Sequence, residues 1–154
     1  MVLGFKSSET NTSVSGEKMP QPCKLYLLNA PIVPIRVGTK CTMIVERIKD
    51  IEYVKKKISV FKKFGFEVVS AIGHKSTAEI LSRILGFEVP AQRIGVELDR
   101  GDAAIAFALD YRLPEGKVLA EEELRKIIEE GKYSFYIIHV ETCYETEIQL
   151  NVIG

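Results

Sequence analysis

The chain has 154 residues, a formal net charge of zero, 46% hydrophobic and 27% charged residues. That length suits one domain with a real core, and the composition is that of an ordinary soluble globular protein. No apolar run approaches the ~20 residues of a membrane span, and Lys6 with a polar stretch follows the apolar Met1–Phe5, so neither a membrane anchor nor a signal peptide is expected and a cytoplasmic location is. The neutral total argues against binding of long DNA or RNA. It also conceals an asymmetry, because residues 1–75 carry thirteen basic and six acidic side chains and residues 76–154 carry eight and fifteen.

Residues 1–22, rich in Ser, Thr, Glu, Asn and Gly and ending near Pro20 and Pro22, read as a disordered lead-in. Lys24–Leu28 is a short apolar run and predicts a buried first strand. Asn29–Pro34 follows as a loop, since Pro31 and Pro34 deny donors to a ladder, and Cys41–Arg47 predicts a second strand. From Asp50 to Lys63, Ile51, Val54, Ile58 and Phe61 fall at helical spacing, with Asp50 as N-cap and Gly65 as stop. The other face of that helix carries Lys55, Lys56, Lys57, Lys62 and Lys63. Phe66–Ala71 predicts a third strand and Gly73–Lys75 a turn.

Ser76-Thr-Ala-Glu79 has the spacing of a capping box, which would start the next helix at Ser76; Ile80, Leu81, Ile84 and Leu85 are its apolar face and Gly86 ends it. Arg93–Leu98, the turn Asp99–Asp102 and Ala103–Leu109 predict a β-hairpin. Arg112–Gly116 is a turn, and Ala120–Glu130 is a helix with three glutamates at its positive end. Tyr133–Val140 is the last firm strand, and 141–154 offers one more strand or an arm through Thr146–Val152. The expected fold is α/β (α+β), a single mixed β-sheet of about five strands flanked by helices, with one domain over 23–140.

The rare residues narrow the chemistry. Cys23, Cys41 and Cys143 are odd in number and far apart, so their spacing yields no disulfide framework or zinc knuckle and suits a reducing cytosol. The two histidines, His74 and His139, form no metal-ligand pair, so no metal and no cofactor is expected. No Walker loop, dinucleotide fingerprint or nucleophile elbow occurs.

His74 stands two residues before Ser76, at a helix N-terminus, where unpaired amides and the dipole favour a phosphate, and Ser76 and Thr77 add hydroxyl donors. A histidine beside a bound phosphate can act as general acid; the plain alternative is a turn histidine bonded to its neighbours. Arg112 and Glu115 share one turn, a phosphate-binding fork beside a carboxylate that could orient a ribose hydroxyl, or else a surface ion pair. Asn29 ends the first strand, as a ligand-facing amide or as a turn former. The lysine face reads first as a solvated surface, His139 as a structural histidine, and Tyr26, Tyr133 and Tyr136 as core or interface.

Leu25–Ala30, Ala71–Thr77, Gln92-Arg93, Arg112–Leu119 and Gly131–Tyr136 stand in the order and at the spacing of a known family. The sequence resembles the small viral ring nucleases that act as type III anti-CRISPR proteins, and their host-encoded relatives, over about residues 24–140. The resemblance implies a two-fold homodimer that binds cyclic tetra-adenylate and cleaves it without metal. It implies His74 as catalytic general acid, Glu115 as assisting carboxylate, Arg93 and Arg112 as ligand-binding arginines, and Asn29, Ser76 and Thr77 as ribose and phosphate contacts. Lys75 stands where relatives commonly have Asp, Ile32 where some have Ser, and Ala108 where some present Gln. Two other classes remain: a sensor or sponge that binds a cyclic oligoadenylate without cutting it, and a small nucleic-acid-interacting protein using the lysine face.

Overall fold

The structure is a computed structural model that describes residues 22–110 and 120–146. Strand β1 (Lys24–Leu28), four of whose five residues are buried, is flanked by β3 (Glu67–Ser70) on one side and β4 (Ala103–Leu109) on the other, parallel to both. Strand β5 (Tyr133–Glu145) runs antiparallel to β4 and to β2 (Thr39–Ile48), giving one mixed five-stranded sheet in the order β2-β5-β4-β1-β3. Helices α1 (Ile51–Lys63), α2 (Lys75–Leu85) and α3 (Glu121–Glu130) complete an α+β fold.

Strand alternation sends Leu25, Leu27, Ile105, Phe107, Phe135 and Ile137 to one side of the sheet, where they meet Val54 and Ile58 of α1, Ile80, Leu81 and Ile84 of α2, and Leu124 and Ile127 of α3. The other side carries Tyr26, Leu28, Ala104, Ala106, Ile138 and Val140, packed with Leu98 from the stretch before β4. Both sides of β4 are therefore buried, which is why it reads as an unbroken apolar run.

Helix α1 forms as its spacing dictates: the Asp50 carboxylate accepts from the amides of Glu52 and Tyr53, and Gly65 takes a left-handed φ of 88° just beyond the C-cap. Its lysine face is solvated, with Lys56, Lys62 and Lys63 exposed, and part of it is paired. Lys55 pairs with Glu52 and Lys57 with Glu46, each at 3.8 Å, and Lys62 lies over the Phe87 ring. His139 sits edge-on to the rings of Phe61 and Phe66, a packed histidine on the α1 side.

Four expectations change. Residues 93–98 form no hairpin arm with β4, because both edges of β4 are taken by β1 and β5; Leu98 makes only an isolated bridge to Ile35. The turn before β4 is instead organised by the Asp102 carboxylate, which accepts from the amides of Lys24 and Asp99. Strand β5 does not end at Val140 but runs on to Glu145 opposite β2, with a bulge at Thr42/Met43 and the hydroxyls of Thr42 and Thr142 2.6 Å apart; the further strand or arm expected through Thr146–Val152 lies almost wholly outside the described residues. The same register sets Cys41 opposite Cys143, and the two form a disulfide across 102 residues of sequence, leaving Cys23 as the free thiol. Linear spacing carries no trace of that pairing, since it exists only once β2 and β5 have paired.

The fourth change is the start of α2, taken up with the site below. The expectations for residues 1–21, Arg112–Leu119 and 147–154 lie outside the described residues. Among the described residues no helix is long and apolar enough to cross a membrane.

Candidate functional site

The site lies at the carboxyl ends of β1 and β3, the place where open sheets with parallel strands present ligand-binding loops. The parallel pairing runs on past β3, with the Ala71 amide donating to the Leu27 carbonyl at 2.9 Å, so Asn29 and the 71–74 turn leave the sheet side by side. Ile72, fully buried, anchors that turn in the helix-side core. The chain then enters α2.

The N-cap falls two residues earlier than the capping-box spacing implies. His74 is the N-cap, extended at φ −107° and ψ 126°, and its carbonyl accepts the first helical bond from Ala78 at 3.0 Å. The His74 side chain makes no capping hydrogen bond. The extended residue has to be the one where the strand-to-helix turn completes, and that is His74; Ser76 is already helical. The consequence is an exposed His74 imidazole at a helix N-terminus with no carboxylate in the first turn. The positive end of the helix dipole then favours an anion there.

Arg93 closes the opposite wall. Its stem lies across Gly73, where an added Cβ would come within 3.2 Å of the Arg93 Cγ, and its Nε donates to the Gly73 carbonyl at 3.3 Å. A side chain at Gly73 would have to push the Arg93 stem aside by a few tenths of an ångström. Asn29, Ala71, Gly73, His74, Arg93 and Ile94 together line an open cavity of about 330 Å³. Ile94 is 43% exposed, an apolar surface beside two polar ones.

Three of the residues singled out in the sequence, Asn29, His74 and Arg93, thus come together. Ser76 and Thr77 lie in the first turn of α2 and do not line the cavity; Thr77 is buried. Arg112 and Glu115 lie outside the described residues. The sequence offered Gly73 only as a turn former and gave no signal for Ala71 or Ile94, whose roles depend on which loop crosses the strand ends. Among the described residues no three of His, Cys, Asp and Glu converge as metal ligands.

The Arg83 guanidinium of α2 hydrogen-bonds the Glu121 carboxylate of α3 and holds it below the usual carboxylate range, and Arg83 is raised in turn. Burial pushes the Tyr133 phenol up.

A three-helix, five-stranded α+β protein with one anion-ready helix end beside an arginine is the class that fold and cavity define. The chain belongs to the STIV B116-like family, whose model matches residues 25–139. The protein ORF116 of Acidianus filamentous virus 1 is 45% identical over 74 residues, which are 48% of this chain and 64% of that protein, so the chain spans somewhat less than two thirds of this relative's length. The protein ORF117 of Acidianus two-tailed virus is 45% identical over 95 residues, 62% of this chain and 77% of the relative. Protein 26 of Sulfolobus islandicus filamentous virus is 32% identical over 81% of this chain and 98% of its own length. Among solved structures, B116 of Sulfolobus turreted icosahedral virus superposes with a TM-score of 0.58 at 29% identity, covering 75% of this chain and 97% of B116. Viral proteins are thus well represented in the family.

Proposed function

We propose that the protein is a ring nuclease: a homodimer that binds cyclic tetra-adenylate and cleaves it to linear di-adenylate ending in a 2′,3′-cyclic phosphate, acting in a virus as an anti-CRISPR protein. The observation that carries the reading is the exposed His74 at the N-terminus of α2, sharing one cavity with Arg93 and Asn29. A helix end and a guanidinium fork suit a phosphodiester, and Asn29 can hydrogen-bond a ribose or base edge.

In the proposed reaction the ribose 2′-oxygen attacks the adjacent phosphorus in line. The P–O2′ bond forms and the P–O5′ bond breaks. His74 delivers its proton to the departing 5′-oxygen, and the 2′-hydroxyl proton leaves to a base, for which Glu115 is the candidate that the sequence offers. The nucleophile belongs to the substrate, so the protein contributes alignment, phosphate binding and one proton transfer.

The dimer has support of its own. A cavity of about 330 Å³ is at the small end for ligand pockets (~300–1,000 Å³), too small for a ring of four nucleotides, and a second copy would double it about a two-fold axis that the ring also possesses. All three helices sit on one side of the sheet, while the other is covered by loop residues such as Val33, Val96 and Leu98. Ile32 beyond Asn29 and Ile94 in the cavity are exposed apolar residues that a partner would cover.

Incubation of the protein with radiolabelled cyclic tetra-adenylate in EDTA tests the reading. Linear di-adenylate supports it. Tight binding without products would instead identify a cyclic-oligoadenylate sensor, and no binding at micromolar concentrations would remove both.

A further inference from the structure

The segment between α2 and β4 has no ladder of its own, yet a short piece of it is fastened to the end of β3. Ser70, the last residue of β3, is 5% exposed, and its hydroxyl donates to the Pro90 carbonyl at 2.7 Å. The same hydroxyl receives the Ile72 amide at 3.4 Å. The Gln92 side chain donates through Nε2 to the Ser70 carbonyl at 2.8 Å, and the Gln92 amide donates to the Ile72 carbonyl at 2.7 Å. The next residue on one strand of this clamp is Gly73, followed by His74; the next on the other is Arg93.

We infer that Ser70 and Gln92 are positioning residues, a hydrogen-bonded clamp that sets the span between the Arg93 guanidinium and the His74 turn and thereby the affinity of the cavity for a phosphodiester. The inference rests on the ring-nuclease reading for its ligand and on the hydrogen bonds alone for its geometry. Arg93 lies across Gly73 with Nε on that carbonyl, a contact of an exposed, flexible side chain. By itself it would hold the arginine weakly, because an exposed hydrogen bond competes with water. The three bonds from 70–72 to 90–92 fix the backbone on both sides of it. His74, in contrast, is held by α2, through its carbonyl bond to Ala78. Loosening the clamp therefore moves the binding group and leaves the proton donor in place.

The test compares the full-length protein with Gln92→Met, which keeps the side chain's length and loses its donor, and Ser70→Ala. Steady-state cleavage of cyclic tetra-adenylate should show KM raised about tenfold and kcat within about twofold of wild type in Gln92→Met. Amide hydrogen exchange without ligand should accelerate in residues 91–94 of both variants, while residue 74 keeps its wild-type rate. Gln92 is exposed, so its variant reports even if Ser70→Ala does not fold. A KM within twofold of wild type in Gln92→Met overturns the inference, as does a fall in kcat with KM unchanged. If the wild-type protein neither binds nor cleaves the ring, the functional reading fails separately. Faster exchange then still supports the clamp, and unchanged exchange overturns it.

Discussion

The centre of the sheet and the corner at the ends of β1 and β3 are made from opposite materials. At the centre, Ala103 to Phe107 of β4 and Phe135 of β5 are each at most 1% exposed, hydrogen-bonded on both edges and packed on both faces. At the corner, His74 and Arg93 are exposed, Asn29 is half-buried, and a handful of hydrogen bonds outside any ladder holds the loops together. The difference separates the sources of stability and chemistry. Apolar burial of order 1.5–3 kcal/mol per large side chain accumulates in the centre, whereas the corner displays donors that a ligand rather than the fold would satisfy. Substitutions at the centre should therefore unfold the protein, and those at the corner should leave it folded and inactive.

The largest expected effect sharpens that contrast directly. Phe135→Ala empties a fully buried site between Phe107 and Tyr133 and should lower stability by ~3–5 kcal/mol, read from urea unfolding. Loss confined to below 1 kcal/mol would mean the centre is not what holds the sheet. Next comes the disulfide that ties the edge strand to β5. Cys41→Ser should lower stability by ~2–4 kcal/mol, because the bond closes a loop of 102 residues, while cleavage of the ring, measured well below the melting temperature, stays near wild type. An equally large fall in activity would show that the edge and the corner are coupled.

The smallest effect is the Arg83–Glu121 pair between α2 and α3. Its carboxylate is held below its ordinary range by the guanidinium, so its contribution to stability is present above the unfolded carboxylate value and is lost as pH falls through the depressed folded one. Arg83→Met should remove that acid-limb dependence from a series of thermal melts at low salt, with little change near pH 7 because the pair is exposed and screened. An unchanged acid limb would show that the pair does not hold the two helices together.

The fold was legible wherever a local rule acted alone. Val54 and Ile58 on one helical face with Asp50 at its head specify α1, and the apolar runs specify β1, β4 and most of β5. It was not legible where tertiary pairing decides. Arg93–Leu98 alternates like a strand, but no strand edge is left for it beside β4. Cys41 and Cys143 become neighbours only through the β2–β5 register. The Ser76/Glu79 spacing mimics a cap two residues too late, since where the chain leaves β3 makes His74 the extended residue. For the site, His74, Asn29 and Arg93 could be found from residue type and resemblance. Gly73 and Gln92 lie in segments that carry the resemblance, but their part, like that of Ser70, was not legible, because it lies in how the 90–93 segment crosses the strand ends.

The central claim concerns one imidazole, and one measurement tests it most directly: single-turnover cleavage of cyclic tetra-adenylate by His74→Ala beside wild type, with the dissociation constant of each measured in parallel. The account predicts a rate lower by ~10²–10⁴-fold, a dissociation constant within a few-fold of wild type, and an unchanged melting temperature, because the side chain is exposed and caps nothing. Cleavage by the variant at the wild-type rate would contradict it.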